Sequence, residues 1–128
     1  MAAAPSVGLS EIGQIAITTK DVDATTAFYR DKLGLTFLFA APGLAFFQAG
    51  SVRLMITLAE KGEFDHPASI LYFKVPDIAL AHSTLKGRGV EFRTEPHVVH
   101  RTDTYDLWLS DFYDNERNTF ALMQEKQK

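Results

Sequence analysis

An α+β fold built from two copies of one strand, helix, three-strand unit is what this sequence predicts, and three observations predict it. Residues 12–39 make a complete strand, helix, strand passage with its stops written in. Two further strand signals follow before a polar stretch. The same order then recurs: laying Asp21 on Asp77 puts Val22 on Ile78 and Gln14 on Ile70, an internal duplication whose halves bury a shared core.

The first strand, residues 12–18, sets Ile15 and Ile17 on one side and Gln14, Ala16 and Thr18 on the other, the period of a half-buried strand. Asp21 stands where a helix N-cap belongs, its carboxylate able to accept the orphan amides of the first turn. Val22, Tyr29 and Leu33, flanked by Phe28, form an apolar helical stripe, and Gly34 ends it. Residues 35–39 restart a strand, residues 41–43 (Ala-Pro-Gly) turn, and Leu44–Ala49 is a strand ended by Gly50. Val52–Leu58 alternates an apolar face (Val52, Leu54, Ile56, Leu58) with a mixed one (Arg53, Met55, Thr57). After the polar stretch, residues 69–75 read as a strand, Asp77 caps a helix with Ile78, Ala81 and Leu85 in its stripe, and Gly87 and Gly89 close it. His82, beside that stripe, is expected to be a partly exposed surface residue. Strand signals follow over residues 90–99, interrupted by Pro96, over Tyr105–Tyr113, and over residues 118–123, before a charged tail.

Composition bounds the functions. A chain of 128 residues, 46% hydrophobic and 23% charged, suits one domain. It is read as residues 10–126, with modules 10–58 and 69–126, a linker over 59–68 and a loose leader over 1–9. A net charge of −3 with no Lys/Arg cluster excludes a nucleic-acid footprint. Without cysteine there is no disulfide, thiolate nucleophile or Cys-bound metal, and a reducing cytosol is the natural compartment. The start lacks the pattern of a signal peptide, and no run approaches the ~20 apolar residues of a spanning helix, so no membrane role is expected.

The order Asp21-Val22, Phe28-Tyr29, Leu33-Gly34-Leu35 resembles the opening of the vicinal oxygen chelate superfamily, which includes glyoxalase I, extradiol dioxygenases, fosfomycin-inactivating enzymes and bleomycin-resistance proteins. Towards the end, DLWLSDFYDNERNTFALM resembles that family's aromatic strand, turn and closing strand, keeping Phe112, Asp114 and Asn118. Asn115-Glu116-Arg117 replaces the usual Pro-Asp-Gly, which puts the turn's geometry in question. The resemblance implies two βαβββ modules curled into a cupped mixed sheet with the helices outside. It also implies four inward metal-ligand positions, here Gln14, Met55, Ile70 and Ala121. Only Gln14 offers an oxygen; a thioether, a butyl group and a methyl cannot replace imidazole or carboxylate. The family's metal site is therefore expected to be dismantled, with no metal and no cofactor.

Other residues carry the remaining chemistry. His97 and His100 fall on opposite faces of a regular strand, and a bulge between them would reunite them. His100 is the candidate general base, or the partner of an acidic ligand group, because histidine titrates near neutrality. His66 reads as a linker residue. Gln14, amid an apolar strand, needs its amide satisfied by ligand, water or a neighbour. Arg53 shares a face with Met55 and could grip an anion with two N–H groups, or pair at the sheet edge. Tyr72 follows Ile70 on the same face, and Phe47, Trp108 and Phe112 are candidate walls, although the parity of Trp108 is open. With 10 Phe, 4 Tyr and 1 Trp, such a cup favours a flat apolar or aromatic ligand.

The expected function is thus metal-independent binding of a small molecule by a homodimer, as the bleomycin-resistance resemblance implies. The competing expectation is an enzyme of lyase, isomerase or dioxygenase type with a non-standard site around Gln14 and His100. A third is a dimeric interaction module with no ligand.

Overall fold

Two four-stranded sheets, each backed by one helix, carry the chain. The structure, a computed structural model, describes residues 11–59 and 66–128; the expected leader and most of the expected linker lie outside those residues. The first sheet holds β1 (Gln14–Thr19), β2 (Thr36–Ala41), β3 (Leu44–Ala49) and β4 (Val52–Leu58) in the order β1-β4-β3-β2. The second holds β5 (Tyr72–Lys74), β6 (His97–Arg101), β7 (Tyr105–Tyr113) and β8 (Thr119–Gln127) in the order β5-β8-β7-β6. In each, the first strand runs parallel to the last and the other pairs are antiparallel, which is the βαβββ pattern twice.

Both helices start on the aspartates that the sequence marks. The Asp21 carboxylate accepts from the Ala24 amide at 3.0 Å to begin α1 (Val22–Ala27), and Asp77 accepts from Leu80 at 3.1 Å to begin α2 (Ile78–Gly87). α1 runs on into a π-helical turn (Phe28–Lys32), where the Leu33 amide reaches the Phe28 carbonyl at 3.1 Å. That turn buries the adjacent rings of Phe28 and Tyr29 together. Gly34, at φ 73°, then lets the Leu35 amide fold back to the Tyr29 carbonyl and close the helix.

One aromatic core joins the modules. Tyr29 packs against Phe47 of the first sheet and edge-on to Phe120 of the second, and Phe120 in turn meets Phe73 and Phe112. The Tyr29 hydroxyl donates to Asp114 at 2.8 Å. Burial first, and the Asp114 carboxylate second, push the Tyr29 pKa far above the ordinary tyrosine value, so it remains a donor. Asp114 also accepts from the Glu116 and Asn118 amides and from the Asn118 side chain. These bonds hold the turn that lacks Pro and Gly, and Arg117 takes the positive φ, 64°, that glycine would otherwise supply.

The structure departs from the sequence expectation in four places. The strand expected over 69–75 is ladder-paired only from Tyr72 to Lys74, because Asn118 draws the Ala68 amide aside at 2.9 Å. The expected strand over 90–99 becomes one bridge, Phe92 to Phe112, followed by β6, since Pro96 supplies no amide to a ladder. The charged tail is the end of β8, where Glu125 and Lys126 pair with Leu107 and Asp106 of the equally long β7. His82 is buried, not a surface residue: it is 8% exposed, its ring is edge-on to Phe92 at 4.4 Å, and Glu95 lies 3.4 Å from Nε2.

Candidate functional site

The alternation of β4 decides which side chains can meet a ligand. Leu54 and Ile56 are buried beneath the helices, so Arg53, Met55 and Thr57 point from the opposite, helix-free face. β1 likewise turns Ile17 and Thr19 inward and Gln14 and Ala16 outward, while β3 turns Ala45 and Phe47 inward and Phe46 and Gln48 outward. Register then sets Gln14 beside Arg53, Met55 beside Phe46, and Phe46 beside Phe39.

These neighbours touch. Arg53 Nε donates to Gln14 Oε1 at 2.7 Å, and Gln14 Nε2 donates to Met55 Sδ at 3.8 Å. The Arg53 guanidinium lies 5.4 Å from the centroid of Phe46, on which Phe39 stacks at 4.5 Å and 27°. The result is a polar corner leading onto a two-ring apolar shelf.

The second sheet presents a different helix-free face. Tyr72 is 53% exposed and pairs with Ala121, which is fully buried; Ile70 is exposed just ahead of β5. The bulge at Val99 puts His97 opposite Leu109 and His100 opposite Leu107, so both histidines share the helix-free face after all. His97 Nδ1 lies 2.7 Å from the Glu95 carbonyl. His66 does not join them: its ring turns to the Pro67 carbonyl and its own carbonyl accepts from Thr18.

All three expected walls lie elsewhere, and Phe112, 1% exposed, is core. Phe47 is 0% exposed and belongs to the core, with Tyr29. Trp108 shares the parity of buried Phe112, pairs with Val98 and carries Lys126 over its ring at 4.4 Å, so it faces the helix side. Half-buried Phe46 and exposed Phe39 stand on the helix-free face in place of Phe47. A signal for this was present: a two-residue Gly50-Ser51 turn pairs Ala49 with Val52 and therefore Phe47 with Leu54 of the apolar face.

Gln14 and His100 share no strand pairing. They belong to different sheets, and the amide of Gln14 is engaged by Arg53 and Met55. The row of His100, Leu107 and Glu125 stands ~13 Å along β8 from the Ala121 row, at ~3.3 Å per residue.

Nor do these residues fit the divalent ion that the resemblance would put here. A cation on Gln14 Oε1 would meet the Arg53 guanidinium already bonded to that oxygen, and Met55, Ile70 and Ala121 bring no hard donor. Among the described residues no group of three or more His, Cys, Asp or Glu is gathered closely enough to hold a metal. A cavity of about 420 Å³ exists on the helix side, between α2 and the second sheet, lined by Leu33, Leu35, Phe73 and Leu85 among others. Of the candidate residues only Phe112 lines it. No helix among the described residues is long and apolar enough to cross a membrane.

A family model described as Glyoxalase/Bleomycin resistance protein/Dioxygenase superfamily matches residues 11–122. No curated protein matches the chain significantly. Among solved structures, it is similar to a glyoxalase/bleomycin resistance protein/dioxygenase from Nocardioides, with a TM-score of 0.76 and 21% identity over 94% of this chain and 87% of that one. A member of the same superfamily from Sphaerobacter thermophilus gives 0.75 and 20%, covering 91% and 98% of the two chains. A lactoylglutathione lyase from Agrobacterium tumefaciens gives 0.69 and 19%, covering 91% and 95%. At these identities the likeness is one of fold.

Proposed function

The chain belongs to the Glyoxalase/Bleomycin resistance protein/Dioxygenase superfamily, and on that footing we propose that it binds a small apolar or aromatic molecule without a metal ion. The observation that carries this reading is the Arg53 to Gln14 bond, which ties up the one oxygen a metal could use and replaces the ion by a fixed organic cation. Around it, the stacked rings of Phe46 and Phe39, with Met55, offer apolar contact. From the second sheet Ile70, Tyr72, His97 and His100 supply further contacts over the buried Ala121, with the histidines as polar pegs and not as ligands to metal.

The reading includes a homodimer. Phe39 is 51% exposed and Ile70 52% exposed on the helix-free faces, and a second copy would cover such apolar surface while completing the pocket. Binding then depends on walls and a few polar contacts, with no step of chemistry required.

The test is a thermal melt against a panel of aromatic compounds, beside metal analysis of protein purified without chelator. A ligand at a hundred times its Kd is expected to raise Tm by roughly 5–15 °C. Stoichiometric metal, or no shift from any compound, would overturn the reading.

A further inference from the structure

We infer that the ligand is an aromatic carboxylate and that Arg53 is its anchor. This rests on the small-molecule reading above and names the ligand's chemistry. Among the described residues, Arg30, Arg93, Arg101 and Arg117 each sit against a carboxylate, and Arg88 donates to the Lys32 carbonyl. Arg53 is bonded instead to a neutral amide oxygen, so its charge is positioned but not neutralised.

The geometry of that bond leaves a specific edge open. Nε is taken by Gln14 at 2.7 Å and the guanidinium rests near Phe46, so the two terminal nitrogens, without a hydrogen bond among the described residues, remain for the end-on fork that grips a carboxylate through two parallel bonds. Phe39 and Phe46, stacked on each other at 4.5 Å, stand beside that fork as an aromatic wall. A molecule that matches both has a planar apolar body with a carboxylate at one end. Gln14 is the positioning residue: it holds the guanidinium without cancelling its charge, which Glu at the same place would do.

Titration calorimetry at neutral pH with naphthalene carboxylate and its uncharged amide separates the outcomes. The full chain should bind the acid ~10–100-fold more tightly than the amide, the worth of a charge-assisted pair of hydrogen bonds. Arg53→Met should bring acid and amide to within about twofold by weakening the acid far more than the amide, and Arg53→Lys should restore part of the preference. Because Arg53 is exposed, the variants are expected to melt like the parent. Equal binding of acid and amide, or equal loss of both in Arg53→Met, would overturn the inference while the binding reading stands. A flat response to both compounds and to the whole aromatic panel would remove both.

Discussion

The two modules share a backbone frame and differ in the chemistry hung on it. Laying Phe37 on Val98 superposes the β2–β3 hairpin on β6–β7 pair for pair: Phe37 with Phe47 becomes Val98 with Trp108, and Phe39 with Phe46 becomes His100 with Leu107. The bulge falls at the same place in both. The parallel pairs agree too, Ala16 with Met55 and Tyr72 with Ala121. Yet the first module's helix-free face carries an uncancelled cation and stacked rings. The second has nine-residue β7 and β8 strands, and the acids of β7 are paired, Asp111 with Arg93 and Asp106 with Arg101 and Lys128. Ladder hydrogen bonds are blind to side-chain type, so register is kept while matched positions diverge.

The strongest way to break this comparison is to confuse the inner and outer faces. Phe47→Ala should cost ~3–5 kcal/mol, since it empties a fully buried site, whereas Phe46→Ala should cost under ~1 kcal/mol and weaken ligand binding instead. Phe112→Ala against Leu107→Ala should repeat the contrast in the second module. Equal losses in urea unfolding would remove the assignment of faces.

Next comes the seam between modules. Tyr29→Phe should cost ~1–3 kcal/mol, because Asp114 loses a buried donor. It should also change the pH response. The folded-state pKa of Tyr29 is raised above its ordinary 10.0, so above that pH the unfolded chain releases a proton that the folded chain keeps. Stability contributed by this group is therefore full below pH ~10 and falls by about 1.4 kcal/mol per pH unit above it. Urea midpoints measured between neutral and alkaline pH should show that the variant lacks this component.

The smallest effect sharpens the likeness of the modules. Asp21→Ala and Asp77→Ala each remove one N-cap and should cost ~1 kcal/mol apiece, nearly equally. A large inequality would mean that one helix depends on its cap and the other on packing.

Much of the fold was legible because its signals are local. Asp21 and Asp77 cap within three residues, Gly34 acts on its own φ, and the alternation of Val52–Leu58 needs only a period of two. The site was less so. Gln14 and Arg53 were both candidates, but their bond joins β1 to β4 across a parallel pairing, and nothing in either segment announces it. His82 looked peripheral on its helix because Phe92, which covers it, arrives from a later segment.

What the sequence by itself determined, then, is the order of elements, their caps and stops, the duplication, and the loss of hard donors at Met55, Ile70 and Ala121. Only the tertiary structure decided that Trp108 faces the helix side, that His97 and His100 share a face, and that Arg53 lies on the oxygen of Gln14. The reason is that strand parity flips with every residue of register, and register is set by hydrogen bonds between segments far apart in the chain.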